Sequence, residues 1–591
     1  MWTRTIITHL PFWVAIKQRQ RLQWTMGNES VEEKFPLVDI IIVCCHEPSD
    51  ILLDTVRSAL ALNYPKNKYR VWILDDGKDE FMEQYISKIC VIYRRSPLVK
   101  YIRRFKEENK PHYYKAGNIN NGLNEIKRHV GQLGDFILIQ DVDMLIHSNF
   151  LLRTLPHFEE NDRVAYIQIG QNLYNLNSSD ILCQGLIGQN KLLLHCDSKN
   201  GSSTCIGSGM LIKSCVLDEI NGIPPYSTTE DFNFSFSIHK LGYKSIYLDE
   251  ALQFGLTPDS LIGTIEQYKR WESGNFQVIY RRFRELFSFN KQTNRMTFFQ
   301  RFLYFTLGIR MGYCIIQLNF LVLTLIGLWI RLPYLLLENT SIIKITLLIT
   351  WIQCISNRLI LYVMYYDVAN GYNLSNCHSV NVTDENNTKT PKINSCLCVL
   401  QLVERMIQKS VWTAPFYFCN LVSMFINIPQ KFIPTRSYPS VHEERKHFLN
   451  LFLNLGTKGF LFHIIYILIA LVGIVYRLTR IRSNNLIQSL WYISLVSINI
   501  YSLIPPIWFI VFPPAIRKRK DLLVYTEQDE NQEPTVKLET NTSLYPTSKR
   551  TLLLLIFPSL LIVLATVSII LLYISTEFIQ TFIINTNSTS I

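Results

Sequence analysis

Charged residues are scarce in this chain. Asp, Glu, Lys and Arg make up 18% of its 591 residues, and 48% are hydrophobic; soluble domains carry about 25% charged residues. That balance excludes a wholly soluble enzyme, and also intrinsic disorder, collagen and a small disulfide scaffold. The cysteines number 13, an odd count, and no Cys-x-x-Cys pair of metal-site spacing is present. Cys44 and Cys45 sit in an apolar run, where cysteine serves as a small buried hydrophobe. No zinc-finger spacing or basic zipper accompanies the net charge of +12, so no nucleic-acid partner is expected. Positive residues flanking membrane spans are the simpler source of that charge. There is no evident internal repeat. Thr5–Ile16 is too short to span a bilayer and lacks a small-residue cleavage site. Followed by Lys17, Arg19 and Arg21, it makes residues 1–30 an interfacial segment.

What is present divides the chain in two. Val38–Cys45 is a continuous apolar run, the mark of a strand buried on both faces. His46–Asp50 turns the chain, with Ser49 or Asp50 placed to cap a helix through about Leu62. Further strands are expected at Tyr69–Leu74, ending in Asp75-Asp76-Gly77, at Phe136–Gln140, ending in Asp141-Val-Asp143, and at Val164–Gly170. Strands alternating with helices predict an α/β domain over 31–300 with a parallel, doubly wound sheet. Ligands bind outside the carboxyl ends of such strands, where both acidic pairs fall.

From Met311 the texture is that of a membrane protein. Spans are expected at Met311–Ile330, Ile342–Tyr366, Gly459–Tyr476, Ser483–Ile516 and Thr551–Thr576. Val411–Gln430, with Pro415, Asn420, Asn427 and Pro429, is not counted. Five spans place Arg517–Lys520 and Lys549-Arg550 on the side of the 31–300 domain, as the positive-inside rule requires. Against that count, the loop 367–410 carries Asn373, Asn381 and Asn386 in sequons, which suits the opposite side. Chance sequons in a loop rich in Asn, Ser and Thr are the preferred explanation. Arg358 inside a span is costly in lipid and is expected to face protein or a polar path. Asp521–Ser548 reads as a flexible polar loop.

The chemistry-bearing residues recur at strand and helix ends. Two carboxylates one residue apart, Asp141 and Asp143, can share a divalent cation that also meets a diphosphate. Asp75 and Asp76 can accept hydrogen bonds from a base or ribose, although Asp-Asp-Gly is also ordinary turn chemistry. Glu230 and Asp231 open a helical pattern, as caps or as a general base. Gln267, Arg270 and Trp271 share a helical face. The arginine suits a diphosphate leaving group and the indole suits a sugar ring, while an amphipathic juxtamembrane helix would show the same pattern.

Together these residues resemble the processive, membrane-integrated family-two glycosyltransferases, cellulose synthases and cellulose-synthase-like enzymes above all, over roughly Val38–Ile516. Glu47-Pro48 and Asp75-Asp76-Gly77 look like that family's uridine-binding turn, and Lys115-Ala-Gly-Asn resembles its Lys-Ala-Gly-Asn motif. Asp141-Val-Asp143 matches the metal-binding motif and Cys205–Gly209 the acceptor-side loop. Thr229-Glu230-Asp231 matches the catalytic-base motif and Gln267–Trp271 the Gln-x-x-Arg-Trp motif.

The resemblance implies a Rossmann-like glycosyltransferase A-type domain fused to a transmembrane domain over 301–516. Within the latter, 411–437 would hold an interfacial helix and a gating loop carrying Phe432 and Thr435. A polar cytosolic loop, 517–550, and an extra span with its tail, 551–591, would follow. The spans that precede the catalytic domain in that family are not found, nor is a cyclic-di-nucleotide-sensing domain. A complete channel would then need an accessory subunit or a longer sequence.

The reading that results is a multi-pass protein of the plasma membrane or endomembranes with a cytosolic catalytic domain. It elongates a polysaccharide acceptor from a UDP-sugar, UDP-glucose first, with Mg²⁺ or Mn²⁺. Glu47, Asp75, Asp76 and Lys115 would bind the donor nucleotide, Asp141 and Asp143 the metal, and Asp231, beside Glu230, would be the base. Gln267 and Arg270 would steady the leaving group and Trp271 the acceptor. Chitin or hyaluronan synthesis from UDP-N-acetylglucosamine would use the same residues. Transfer to a lipid carrier would need neither Trp271 nor a gating loop. An inactive scaffold would lose Asp143, Asp231 or Arg270, and none is lost.

Overall fold

The computed structural model describes residues 22–27, 33–77, 80–92, 97–106, 111–176, 180–186, 189, 193–329, 395–426, 441–447, 459–481, 486–514, 519–525 and 536–538. A seven-stranded sheet organises the first half. In it β1 (Val38–Cys44) lies between β2 (Tyr69–Asp75) and β4 (Phe136–Asp141), parallel to both, and β3 (Leu98–Arg103) extends β2. Beyond β4 the order continues through β8 (Met210–Lys213), β6 (Val164–Ile169) and β9 (Lys244–Leu248).

The expected all-parallel sheet is corrected here. β8 runs antiparallel to both β4 and β6. Its four residues follow Gly207 and Gly209, both in the left-handed region, which turn the chain into the strand. A second small sheet, of β5 (Met144–Ile146), β7 (Asn172–Leu173) and β10 (Gln253–Gly255), sits beside it.

Alternation along the strands feeds two cores. Val38, Ile40 and Ile42 pack on one face with Val71, Ile73 and Leu138. Ile41, Val43, Trp72 and Leu74 face the other way, toward Ile119 and Leu123 of α2 (Tyr114–Val130) and Phe234 of α3 (Glu230–Lys240). Helix α1 (Ser49–Leu60) begins after Pro48 with no side-chain cap bond, so neither Ser49 nor Asp50 caps it as expected.

After α4 (Leu261–Leu286) come α5 (Phe298–Gly308), α6 (Tyr313–Trp329), α7 (Ser395–Trp412), α8 (Ala414–Phe425), α9 (Val441–Lys446), α10 (Leu461–Thr479) and α11 (Leu486–Val511). Among the described residues three stretches are long and apolar enough to cross a membrane: Phe298–Trp329, Leu461–Thr479 and Ser489–Val511. They expose large apolar side chains such as Leu323, Leu468 and Val475. A buried polar tie holds them in register, because the Asn499 side-chain amide donates to Thr324 Oγ1 at 2.8 Å and to the Tyr466 hydroxyl at 3.1 Å.

The expected spans Ile342–Tyr366 and Thr551–Thr576, with Arg358, lie outside the described residues, as do Phe432 and Thr435 of the expected gating loop. Val411–Gln430 is not one helix. Val411 and Trp412 end α7, and α8 has 12 residues, about 18 Å, too short to span.

The segment after α11 is a second correction. Residues 519–525 do not hang free. Arg519 pairs with Asp50 and Asp54 of α1, and the Tyr525 hydroxyl donates to Asp54 Oδ2 at 3.1 Å. Leu523–Tyr525 pairs antiparallel with Val536–Leu538, while Leu522 and Leu523 are buried against Leu145, Tyr174, Phe254 and Leu256.

Asp39 holds the first sheet together from within. Fully buried in β1, it accepts from Arg70 Nε and Nη2 at 2.6 and 2.7 Å, from Trp72 Nε1 at 2.7 Å and from the Gly134 N–H at 2.6 Å. Asp39→Ala strands four N–H donors, two of them on a charged guanidinium. We expect a loss of about 3–5 kcal/mol in chemical denaturation of the detergent-solubilised chain, with Asp39→Asn losing less.

Candidate active site

Strand register alone brings the acidic groups together. Val43 stands opposite Asp141 and Cys44 opposite Asp75, so the ends of β2 and β4 flank the end of β1. At that edge lies a cavity of about 400 Å³. Ten of the residues singled out in the sequence line it: Glu47, Asp76, Lys115, Asp141, Asp143, Glu230, Asp231, Gln267, Arg270 and Trp271.

Asp75 is not among them. It is 2% exposed, its Oδ1 accepts from the Gly77 N–H at 2.6 Å, and its Oδ2 accepts from the Tyr101 hydroxyl. The side chain therefore shapes the turn that presents Asp76 and does not reach the cavity itself. A Cβ on Gly77 would meet the His46 backbone nitrogen at 2.5 Å, which is why this turn needs glycine. Asp76 stands 3.3 Å from Arg104 and 3.0 Å from Lys106.

Lys115 occupies the middle. It is placed by two successive left-handed residues, Tyr113 and Tyr114, at the start of α2. Its Nζ donates to Asp141 Oδ1 at 2.6 Å and to the Gly207 carbonyl at 2.7 Å, and lies 3.5 Å from Glu230 Oε1. Burial opposes its charge, but Asp141, Glu230 and Asp231 outweigh burial and raise its pKa. Asn118, one turn further along, ties α2 to the sheet by donating to the Leu74 carbonyl at 2.9 Å.

Asp231 lies in the first turn of α3 and accepts from the Phe232 N–H at 2.8 Å. Burial, then repulsion from Glu230, raises its pKa well above the usual carboxylate range, while Lys115 and Arg270 pull the other way. Gly207, at φ +89°, passes beside it, and a Cβ there would sit 3.3 Å from Asp231 Oδ2 and 3.4 Å from Lys115 Nζ. Glu47 folds back to accept from the Cys45 N–H, a turn reached through His46 at φ 64°. Burial, with Asp143 and Asp141 nearby, pushes its pKa up to about 7.

The loop 205–209 is fixed by side chains that the sequence reading passed over. Gln168 Oε1 accepts from the Ile206 N–H at 3.0 Å, Ser235 Oγ from the Cys205 N–H at 2.7 Å, and Ser208 Oγ from the Asp141 N–H at 3.0 Å. Gln253 Nε2 donates to the Ile169 carbonyl at 3.0 Å. The overlooked signal was a glutamine inside an otherwise apolar strand, as at Gln140 and Gln168, since a buried amide there must be satisfied by something. His46, Lys106, Tyr114, Gln171 and Gln184 also line the cavity and were not singled out.

The third wall is α4. Gln267, Arg270 and Trp271 all reach the cavity from it, and Trp271 packs on Tyr268 with ring centroids 5.8 Å apart. Among the described residues no three His, Cys, Asp or Glu side chains converge on a metal-sized site. The carboxylates of Asp141 and Asp143 are a fitting donor set for a hard cation that takes its remaining ligands from phosphate and water.

Residues 36–274 match the family described as glycosyltransferase like family 2. The cellulose synthase catalytic subunit (UDP-forming) of Xanthomonas axonopodis pv. citri is 26% identical over 268 residues, covering 43% of this chain and 34% of that protein. A probable glucomannan 4-beta-mannosyltransferase of Oryza sativa subsp. japonica is 24% identical over 270 residues, 45% of this chain and 46% of that one. The match thus spans a third to a half of these curated relatives' lengths. A mannosyltransferase from Pyrobaculum calidifontis, solved with GDP-Man and Mn²⁺, is 14% identical with a TM-score of 0.35, covering 48% of this chain and 74% of that one. Residues 36–274 thus match a glycosyltransferase family 2 domain, and over that region the chain is similar to cellulose synthase catalytic subunits and a probable glucomannan 4-beta-mannosyltransferase.

Proposed function

We propose that the chain is a multi-pass membrane enzyme that elongates a β-linked polysaccharide from a UDP-sugar, UDP-glucose first, with inversion at the anomeric carbon. The observation that carries this reading is the single cavity in which Asp231, Lys115 and the face of α4 meet Asp141 and Asp143. Its wall holds a base, cations suited to a diphosphate and an indole suited to a sugar ring.

Asp76 contacts the nucleoside, and Lys115 and Arg270 face the diphosphate. Asp231 accepts the proton of the acceptor hydroxyl. The hydroxyl oxygen bonds to the anomeric carbon from one side while the bond to the diphosphate oxygen breaks on the other. Gln267 and Arg270 hold the departing UDP, and Trp271 keeps the acceptor ring in line. Asp141 and Asp143 would hold Mg²⁺ or Mn²⁺, whose contribution when bound is charge neutralisation on the leaving diphosphate. Arg519 and Glu444 both touch the catalytic domain. The proposed topology therefore puts residues 441–447 and 519–525 on its cytosolic side.

The test is radiolabel transfer by the membrane-reconstituted chain from UDP-glucose and, in parallel, from UDP-N-acetylglucosamine, with Mn²⁺ or Mg²⁺. Insoluble product from one donor supports the reading and names the sugar; no transfer from either, with UDP still bound, overturns it. Asp231→Asn should lower kcat by about 10²-fold or more with UDP affinity retained.

Because the base must be ionised, activity is lost as pH falls through the raised Asp231 pKa. The acid limb of the kcat/KM profile should therefore lie more than one unit above the value of about 4 of a free carboxylate. Asp143→Asn should raise the Mn²⁺ concentration for half-maximal rate by about tenfold or more without moving the thermal midpoint.

A further inference from the structure

Helix α4 carries three of the cavity's residues, and its starting point is set from outside the catalytic fold. Glu444, in α9, lies more than 180 positions further along the chain. Its Oε2 accepts from the Leu261 N–H at 2.9 Å and its Oε1 from the Ile262 N–H at 2.8 Å. Ser260 Oγ accepts the next donor, the Gly263 N–H, at 3.1 Å, and the Ser260 carbonyl accepts from Thr264 at 3.1 Å. An α-helix leaves its first amides without intrahelical partners, and two of them here are satisfied by one distant carboxylate.

Glu444 is 3% exposed and makes no ion pair among the described residues. Among the described residues this buried carboxylate is held by helix-terminal amides and the Ser260 hydroxyl, an expensive arrangement for a carboxylate on a helix of six residues. The positive end of the α4 dipole is what repays it. The same end is tied to the cavity wall, since Gln184 Nε2 donates to Thr264 Oγ1 and to the Pro258 carbonyl, both at 2.9 Å. From Ile262 to Arg270 the helix rises about 12 Å with no break, the only non-helical residue inside it being Arg282. A shift at its first turn is therefore carried to Gln267 and Arg270 as a rigid displacement.

We propose that Glu444 is a positioning residue for the transfer reaction: by clamping the first turn of α4 it sets where Arg270 and Gln267 meet the leaving diphosphate. This rests on the reading of α4 given under Proposed function. Glu444 touches neither donor nor acceptor, so its influence should fall on turnover and pass through Arg270.

The experiment uses the full membrane-reconstituted chain with Glu444→Gln, Glu444→Asp, Arg270→Lys and the pair Glu444→Gln/Arg270→Lys. Amide hydrogen exchange at 261–264 should quicken in Glu444→Gln, and unchanged exchange overturns the clamp. With the UDP-sugar donor, kcat in Glu444→Gln should fall about tenfold, since a small misplacement of a positioning group is costly, while donor KM stays within about twofold. Glu444→Asp should recover part of the loss. In the Arg270→Lys background the same substitution should cost less than about twofold more. An equal fold-loss in both backgrounds, or a loss that tracks only a falling thermal midpoint, overturns the proposal. If the unaltered chain transfers no sugar, the proposed function falls, and the exchange measurement still decides whether Glu444 clamps the helix.

Discussion

The active cleft depends on one ammonium group. Six carboxylates, those of Glu47, Asp76, Asp141, Asp143, Glu230 and Asp231, line the cavity at the sheet edge, and a cation placed centrally among them offsets their repulsion. Lys115 Nζ supplies that cation and touches three parts of the fold at once: the end of β4 through Asp141, the 205–209 loop through the Gly207 carbonyl, and the start of α3 through Glu230. Its own position depends on backbone that few sequences tolerate, two left-handed tyrosines at the start of α2 and a glycine at 207. Local strain is thus concentrated where the charges meet, with a satisfied polar network around it.

The parts of the fold that announce themselves in the sequence are those whose burial is symmetric. β1, β2 and β4 are mostly apolar runs buried on both faces, so their ends, and the acidic residues on those ends, could be placed from the residues alone. β8 could not. Four residues, Met-Leu-Ile-Lys, carry no period, and the direction in which they join the sheet is decided by Gly207 and Gly209 and by partners far away. Asp75 shows a different limit. Its residue type and position suit ligand binding, but Tyr101, on a strand the sequence did not reveal, claims one of its oxygens.

The apolar, helical half was legible in composition and less so in extent. Long apolar runs gave the helices at 313–329, 461–479 and 489–511, whereas the break at Thr413 between α7 and α8 depends on Pro415 two residues on. The start of the stretch expected to be flexible, 521–525, misled for a physical reason: a polar, charged stretch is indistinguishable from a free loop until the partners of the residues that anchor it are known. Here those partners are Asp50 and Asp54, about 465 residues earlier. Glu444 was silent in the same way, since one glutamate among Glu443, Arg445 and Lys446 carries no mark of what it will cap.

Arg519 and Glu444 share a property that matters during synthesis. Their docking sites, α1 and the start of α4, are complete once fewer than 300 residues have been made, whereas the residues that dock arrive at 444 and 519. Domains fold as units, N-terminal first, as the chain emerges. The catalytic fold must therefore stand, with the first turn of α4 bare and Asp54 awaiting its arginine, before the helices of the later half are finished. Segments made this late meet docking sites that belong to an earlier-made domain, so the fit of the second half depends on how the first has folded.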